Sequence, residues 1–205
     1  LLDAGYEVLP IVPNQKRPDI PRWSAINFRD PKTVGQYIKQ YPDHGVGLKT
    51  GDVVVIDIDC PQEDLAIEFQ NRCFSMLGEA PVRIGKAPKR ALYYRIDGEP
   101  LNKKATKRHS ADGSFFQVEV LGQGQQCVIY GVHPDTGAPY RWVGDSLENL
   151  HFEQLVPITE DQIDKLLHEL CDRLGQVFGK ELIPETQEVV LPSVTLPTKL
   201  PNEDP

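Results

Sequence analysis

The sequence lacks the features of membrane, secreted and zinc-binding proteins. No apolar run approaches the roughly 18–20 residues that span a bilayer. No signal peptide is visible, although the chain starts at Leu1 without a methionine, so we expect a piece of a longer polypeptide. The four cysteines are scattered without short paired spacings, which excludes a zinc motif and a secreted disulfide framework. These absences favour a reduced, cytoplasmic protein that does not contact a membrane.

Internal repeats and the common phosphate-binding glycine motifs are also missing. The glycine-rich segment 44–51 is neither a Walker A loop nor GxGxxG, and it indicates only a close backbone approach. The net charge of −8 argues against indiscriminate nucleic-acid binding. A chain of 205 residues with 40% hydrophobic and 25% charged residues is typical of a soluble globular protein. We therefore expect one domain with a substantial core, with or without an appendage.

The most informative segment is the apolar run Val53–Asp59, which ends in two carboxylates. Its β-branched residues favour an extended strand. Side chains alternate across a strand, so Asp57 and Asp59 share one face and lie about 7 Å apart. Apolar residues occupy both faces of the same segment, which predicts a central strand covered on both sides.

Paired carboxylates at the end of a buried strand require compensating positive charge, because they repel each other and resist desolvation. Oxygen ligands suit Mg²⁺, Mn²⁺ or Ca²⁺ rather than zinc. A simpler alternative is that one aspartate pairs with a lysine or arginine while the other is solvated. This segment alone leaves both interpretations open.

Glu119 is a third candidate carboxylate, on a second predicted strand. It lies between two valines, so its side chain faces away from theirs. If this strand neighbours Val53–Asp59, three carboxylates converge on one face, as in enzymes that use two metal ions for phosphoryl transfer. The alternative is a solvated carboxylate near a strand end.

Basic residues cluster in one window, where only Asp97 and Glu99 oppose them. Such a patch on an acidic chain suits a phosphate-binding site, and a solvated basic loop is the alternative. The nine basic residues are Arg83, Lys86, Lys89, Arg90, Arg95, Lys103, Lys104, Lys107 and Arg108.

Periodicity and turn signals predict a mixed α/β (α+β) fold. We expect a helix end at residues 1–5, a basic loop at 83–90 and a hairpin turn at 122–124. Strands are predicted at residues 7–12, 53–59, 91–96, 115–121, 126–130 and 140–142, and helices at 31–40, 61–73 and 161–174. We assign residues 1–180 to one domain and the proline-rich residues 181–205 to an extended linker.

Taken in order, these features resemble the bifunctional primase–polymerase (prim-pol) domain of the archaeo-eukaryotic primase superfamily, found in phage and plasmid replication proteins. The resemblance covers about residues 1 to 145, and the ordered set is more specific than Asp-x-Asp alone. The matching residues are Gly5-Tyr6, Val8–Pro13, Lys16, Pro18 and Trp23; Gly45-x-Gly47 and Thr50-Gly51; Val53–Asp59; Val118-Glu119; and Gly131–Pro134, Thr136-Gly137, Tyr140 and Trp142.

The resemblance implies a small N-terminal α/β module and an RRM-like unit, with the active site in the cleft between them. It implies template-directed addition of nucleotides to a 3′ end, with DNA and nucleoside triphosphates as partners and a helicase domain following in the full-length chain. Asp57, Asp59 and Glu119 would be the catalytic residues and would bind two Mg²⁺ or Mn²⁺ ions. Nucleotide binding would fall to Lys49, Lys86, Lys89, Arg90 and His133, and nucleic-acid binding to Lys103, Lys104, Lys107, Arg108 and Trp142.

One departure from the family pattern concerns its second motif, which carries a histidine at the start of a strand. The corresponding segment here, Lys89–Tyr94, has none. Lys86, Lys89 or Arg90 could supply the positive charge instead, and His109 and His133 are candidates for a displaced role. Two alternatives to a polymerase remain open: a nuclease that uses the same carboxylates, and a nucleic-acid- or nucleotide-binding module that has lost catalysis.

Overall fold

The structure is a computed structural model that describes residues 1–111 and 113–178, so the predicted linker at 181–205 lies outside the described residues. The described part is a mixed α/β fold, as predicted. None of its helices combines the length and apolar character needed to cross a membrane. The strands are β1 (Val8–Ile11), β2 (Gly45–Lys49), β3 (Val53–Asp59), β4 (Val82–Ile84), β5 (Arg90–Ile96), β6 (Lys104–Ala105), β7 (His109–Ala111), β8 (Ser114–Leu121), β9 (Gln126–Tyr130), β10 (Arg141–Val143) and β11 (Pro157–Ile158); the helices are α1 (Pro31–Gln40), α2 (Glu63–Leu77) and α3 (Glu160–Phe178).

Strand β3 lies in the middle of the larger sheet, whose order is β10-β4-β5-β3-β8-β6. Two further strands pair at its margins, β11 with β5 and β7 with β8. Strands β5 and β8 flank β3, and both are antiparallel to it. The prediction of a central strand is therefore confirmed, and the end of β3 that carries the carboxylates is bordered by two long strands.

The two faces of β3 are buried against different layers. Val54, Ile56 and Ile58 belong to the core formed with α2 and α3. Val53 and Val55 belong to a second core, which packs the larger sheet against a three-stranded sheet of order β1-β2-β9. A third cluster buries α1 on the outer side of that smaller sheet. Alternate side chains of β3 thus belong to two separate cores, so the strand is covered on both sides, as its sequence predicts.

The predicted hairpin between β8 and β9 is wrong, because β9 pairs with β2 in the smaller sheet. The backbone amide of Gln123 donates to the carbonyl oxygen of Leu101 at 2.7 Å. A Cβ atom on Gly122 would lie 2.1 Å from that same oxygen, so only glycine fits there. The turn itself exists, but it carries the chain from one sheet to the other. A local turn signal does not specify which strand the returning segment will join.

Several element boundaries also differ from prediction. Helix α2 begins at Glu63 rather than Pro61, since Gln62 still has extended backbone angles, and it continues to Leu77 rather than residue 73. The predicted basic loop at 83–90 contains most of β4 and the first residue of β5, and residues 1–5 form turns rather than a helix end. By contrast, α1 begins where predicted, with the side chain of Asp30 accepting from the amide of Thr33 at 2.9 Å.

Candidate active site

The three predicted carboxylates lie on paired strands and share one face of the larger sheet. Asp57 is directly opposite Glu119 in the β3–β8 ladder, and Asp59 is opposite Gln117. Residues directly opposite each other in an antiparallel pair have Cβ atoms about 4.5–5.5 Å apart. The condition set by the sequence, that the Glu119 strand should neighbour Val53–Asp59, is therefore met.

Lysines pair with the two outer carboxylates. Lys89 forms a short ion pair with Asp59, and the Nζ atom of Lys103 lies 2.5 Å from Oε1 of Glu119. Within residues 1–111 and 113–178, no three His, Cys, Asp or Glu side chains are arranged to hold a metal ion as they stand. Asp59 thus has the lysine partner that the ion-pair alternative predicts, and Glu119, for which the alternative was a solvated carboxylate, is paired as well.

Asp57 lies deeper than the other two carboxylates. Burial raises the pKa of Asp57, and the neighbouring Asp59 and Glu119 raise it further, while Arg83 and Lys16 oppose that rise. The net direction is upward, so desolvation and like-charge repulsion outweigh the two cations. The surroundings of Asp57 therefore disfavour its ionised form, and the two cations offset only part of that cost.

A pocket of about 220 Å³ opens beside Asp57, between the larger sheet and β9 of the smaller sheet. Its lining includes five cationic side chains and three carboxylates, so it suits an anionic ligand that carries phosphate groups. The lining residues are Lys16, Asp57, Asp59, Arg83, Gly85, Lys86, Lys89, Arg90, Leu121, Gln126, Cys127, Val128, His133, Asp135 and Tyr140.

Arg83 is the main site residue that the sequence analysis did not single out. It is buried, its Nε atom donates to the Tyr93 hydroxyl at 3.0 Å, and its Nη2 atom lies 3.1 Å from the sulfur of Cys127. Its guanidinium also stacks 4.7 Å from the ring centroid of Tyr140. The sequence signals were its place in the basic window and its position between Val82 and Ile84, which points its side chain away from theirs.

His133 is a buried pocket residue with a defined hydrogen-bonding role. The backbone amide of Asp135 donates to its Nδ1 atom at 3.2 Å, which leaves Nε2 as the N–H donor. Burial lowers the pKa of His133, and the nearby Lys16 lowers it further, so the ring is neutral at pH 7. A Cβ atom on Gly85 would lie 2.8 Å from His133 and 2.5 Å from Tyr140, so this glycine lets the β4–β5 loop close over both rings.

The basic residues predicted to bind nucleotide separate into two groups. Lys86 and Lys89 line the pocket, with Lys86 pairing with Asp135 at 3.1 Å. Arg90 also lines it, but its guanidinium donates to the carbonyl oxygen of Pro88 at 2.9 Å and to Gln70 at 2.8 Å, which fixes the loop against α2. The two lysines are therefore the more available cations.

Three of the predicted site residues that do not line this pocket have partners elsewhere in the fold. Lys49 lines a different cavity, where its Nζ atom lies 3.2 Å from Glu7. Lys104 is on the opposite face of the sheet and pairs with Asp164 and Glu160 of α3. Trp142 packs against Tyr93 and Tyr130 with ring centroids 5.0 and 6.0 Å apart.

Two of the remaining predicted nucleic-acid-binding residues, Lys103 and Arg108, contact residues on the sheet face that carries Asp57, Asp59 and Glu119. Lys103 contacts Glu119, as described above, and Lys107 and Arg108 are exposed. The guanidinium of Arg108 stacks 4.0 Å from the ring centroid of Phe115 on β8. His109, the other candidate for the role of the missing histidine, is buried near Phe178 of α3. It does not line the pocket.

Comparison with known families supports the ordered motifs. A family model described as "Bifunctional DNA primase/polymerase, N-terminal" matches residues 1–161. No curated protein matches the chain. The matched range contains the carboxylate row formed by Asp57, Asp59 and Glu119, every residue that lines the pocket, and the strands of both sheets.

Proposed function

The chain belongs to the bifunctional DNA primase/polymerase family, and we propose that it adds nucleotides to a 3′ end on a nucleic-acid template by two-metal nucleotidyl transfer. One observation carries this proposal. A recessed cationic pocket, lined by residues of β4 and β9, lies on one side of the three carboxylates Asp57, Asp59 and Glu119. An open basic surface next to β8 lies on their other side. A nucleoside triphosphate fits the first region, and a nucleic-acid strand fits the second.

The chemistry of the carboxylates fits divalent ions. The three candidate ligands supply only oxygen atoms, which Mg²⁺ and Mn²⁺ prefer. Burial, Asp59 and Glu119 disfavour the ionised form of Asp57, and a bound divalent ion would offset that cost. Two such ions would lower the pKa of an attacking hydroxyl and neutralise charge on the transferred phosphate. Binding them requires Lys89 and Lys103 to release Asp59 and Glu119, which exposed or half-buried lysines do at little cost.

We propose that Arg83 supplies the positive charge that the family's second-motif histidine supplies elsewhere. Ala91 is directly opposite Asp57 on β5, and Arg83 is directly opposite Ala91 on β4. The alanine methyl leaves room for the longer side chain to reach toward the carboxylates from the next strand. The guanidinium can hold phosphate oxygens bidentately, and the Nε2–H group of His133 offers a neutral donor in the same pocket.

The direct test uses a labelled primer annealed to a longer template, with Mg²⁺ or Mn²⁺ and with or without dNTPs. Lengthening of the primer only when dNTPs are present is the expected result. Shortening of the primer without dNTPs would indicate that the protein is a nuclease and not a polymerase. If the protein binds template and nucleotide but does not extend the primer with either metal, it is a binding module without polymerase activity. A primer-free reaction on single-stranded template then determines whether the protein starts chains as well as extending them.

Replacing Lys89 should affect metal and nucleotide in opposite directions. In Lys89→Met, Asp59 loses its ion-pair partner, so Mn²⁺ affinity should rise by about two- to fivefold, the usual range for a partly exposed pair. The nucleotide KM should rise because the pocket loses a cation. Calorimetric Mn²⁺ titration and steady-state kinetics measure the two effects. Lys165→Met, at an exposed lysine paired with Asp161 on α3, is the matched control, and unchanged values in both assays would remove Lys89 from the site.

The wider context is an inference from the family alone. We expect the full-length protein to act in phage or plasmid replication in the cytoplasm of the host cell. A helicase or other replication domain following this one would supply single-stranded template to the open side of the carboxylate row.

A further inference from the structure

The outer part of the carboxylate face holds an exposed aromatic ring that the proposed chemistry does not use. Phe116, Val118 and Val120 on β8 are buried against the helices. Phe115 therefore faces the other side, the side of Glu119, and it is 42% exposed. It lies four residues from Glu119, about 13 Å along the strand. An exposed phenylalanine on the face that carries the catalytic carboxylates needs an explanation.

One cationic side chain contacts this ring, and two lysines lie in the segment that leads to it. Arg108 stacks on it with 4.0 Å between the guanidinium carbon and the ring centroid. Lys107 is exposed beside Arg108, and Lys103 contacts Glu119 at the inner end of the same strip. We call Lys103, Lys107, Arg108 and Phe115 the β8 rim. Among the described residues, the ion pairs of the β8 rim involve only Lys103, so Lys107 and Arg108 keep their positive charge available to a ligand.

An aromatic ring and a guanidinium that stack on each other, with a lysine farther along the same face, match what single-stranded nucleic acid requires. Every base has a π-face that can stack on an aromatic or guanidinium plane, and the phosphates attract the cations. A duplex hides its base faces, so it could use the lysines but not the ring. A protein partner could also contact the ring, but the cations Arg108 and Lys103 on this face favour a polyanion.

We propose that the β8 rim is a stacking platform for an unpaired base of the single-stranded template, with Phe115 about 13 Å along β8 from Glu119. This inference rests on the proposed function for the identity of the strand. The physical claim, that unpaired bases stack on Phe115 and Arg108, holds independently of catalysis. Stacking of this kind tolerates any base, so the platform holds the template without selecting its sequence.

The test measures binding of a labelled single-stranded oligonucleotide by fluorescence anisotropy, without nucleotide or divalent metal, so that a failure of polymerase activity does not affect it. Phe115→Ala should weaken binding by about tenfold, the usual scale for loss of one stacked base, and should leave binding to a duplex of the same sequence unchanged. Ile67→Ala is the matched control, because Ile67 is 38% exposed on α2, on the other side of the sheet.

Salt dependence separates the ring from the charges. Arg108→Ala should reduce the slope of log K against log salt by about 0.7, the value for one phosphate contact on a single strand, whereas Phe115→Ala should leave that slope unchanged. Phe115→Trp should retain affinity, and its added tryptophan emission should be quenched by the bound strand. If Phe115→Ala binds the single strand as well as Ile67→Ala does, or if the Trp emission does not change, the platform is ruled out. Equal losses on single strand and duplex would also overturn it.

Discussion

Asp57→Asn should abolish nucleotide addition and, at neutral pH, make the protein more stable. The variant removes a carboxylate from the proposed metal site, and a bound metal ion is worth several kcal/mol of transition-state stabilisation. Because about 1.4 kcal/mol is tenfold in rate, we expect a loss of about a thousandfold or more in primer extension. The same substitution removes a charge that burial, Asp59 and Glu119 all disfavour. The melting temperature should therefore rise by a few degrees, since about 1 kcal/mol shifts a domain of this size by about 2–4 °C.

The pH dependence of that stability difference follows from the direction of the Asp57 shift. The folded-state pKa is raised, so between the ordinary and the raised value the folded protein binds more protons than the unfolded chain. Wild-type stability then falls as pH rises through this window, and Asp57→Asn lacks that fall. The difference in melting temperature should be largest at neutral pH and should vanish below about pH 4, where the carboxyl is protonated in both states.

Divalent ions and a surface variant provide the controls for Asp57→Asn. Mn²⁺ should raise the melting temperature of the wild type, because it binds the folded state, but not that of the variant. Asp161→Asn makes the same chemical change at an exposed position on α3 and should alter neither activity nor the metal response. Extension by Asp57→Asn at a rate close to wild type would exclude Asp57 from catalysis. A lower melting temperature at pH 7 would mean that Arg83 and Lys16 stabilise the carboxylate more than burial disfavours it.

Arg83→Lys should raise the nucleotide KM by about tenfold or more while changing kcat less. The lysine keeps the positive charge but loses the planar fork that can hold two phosphate oxygens. Arg83→Met, which removes the charge as well, should raise KM further. It should also destabilise the fold by about 1–3 kcal/mol, because the buried Tyr93 hydroxyl loses its hydrogen-bond donor. Steady-state kinetics with varied dNTP and thermal melts measure the two consequences.

Two comparisons distinguish a binding role for Arg83 from a purely structural one. Arg95→Lys is the matched control, since Arg95 on β5 donates to the carbonyl oxygen of Leu155 away from the pocket. A purely structural Arg83 would lower stability and enzyme yield without moving KM, so an unchanged KM in Arg83→Lys contradicts the phosphate assignment. The double variant Asp57→Asn/Arg83→Met should be more stable than the two single effects predict, because Arg83 is the largest cationic influence on Asp57.

The strand that carries the site was predictable because its signal is local. Val53–Asp59 contains its own alternation, its β-branched residues and its two carboxylates, so its bounds, its two apolar faces and the shared face of Asp57 and Asp59 follow from residues within one strand. The sequence predicted that Glu119 would approach Asp57 only if their two strands were neighbours. It could not establish that pairing, because 62 residues separate the two in the chain. Register across such a separation depends on the packing of the whole sheet.

The surroundings of the strand were less predictable, for the same physical reason. Lys103 and Lys104 are adjacent in sequence, yet one contacts Glu119 and the other pairs with α3 on the opposite face. The turn at 122–124 resembled a hairpin but joins two sheets, and this connection places β9 against the pocket. The sequence did not distinguish Arg83 from the other eight basic residues of its window. The pairing of β4 with β5 does, because it places Arg83 opposite Ala91.

The sequence by itself determined the central strand, the face shared by its two aspartates, the family and the absence of the second-motif histidine. Only the tertiary structure decided which cations stand near those aspartates, and which neighbouring residues form the pocket and the β8 rim. The difference arises because side-chain alternation is a property of one strand and needs only neighbours in sequence. Strand order, register and the separation of the two sheet faces depend on contacts between distant segments, which the whole fold selects together.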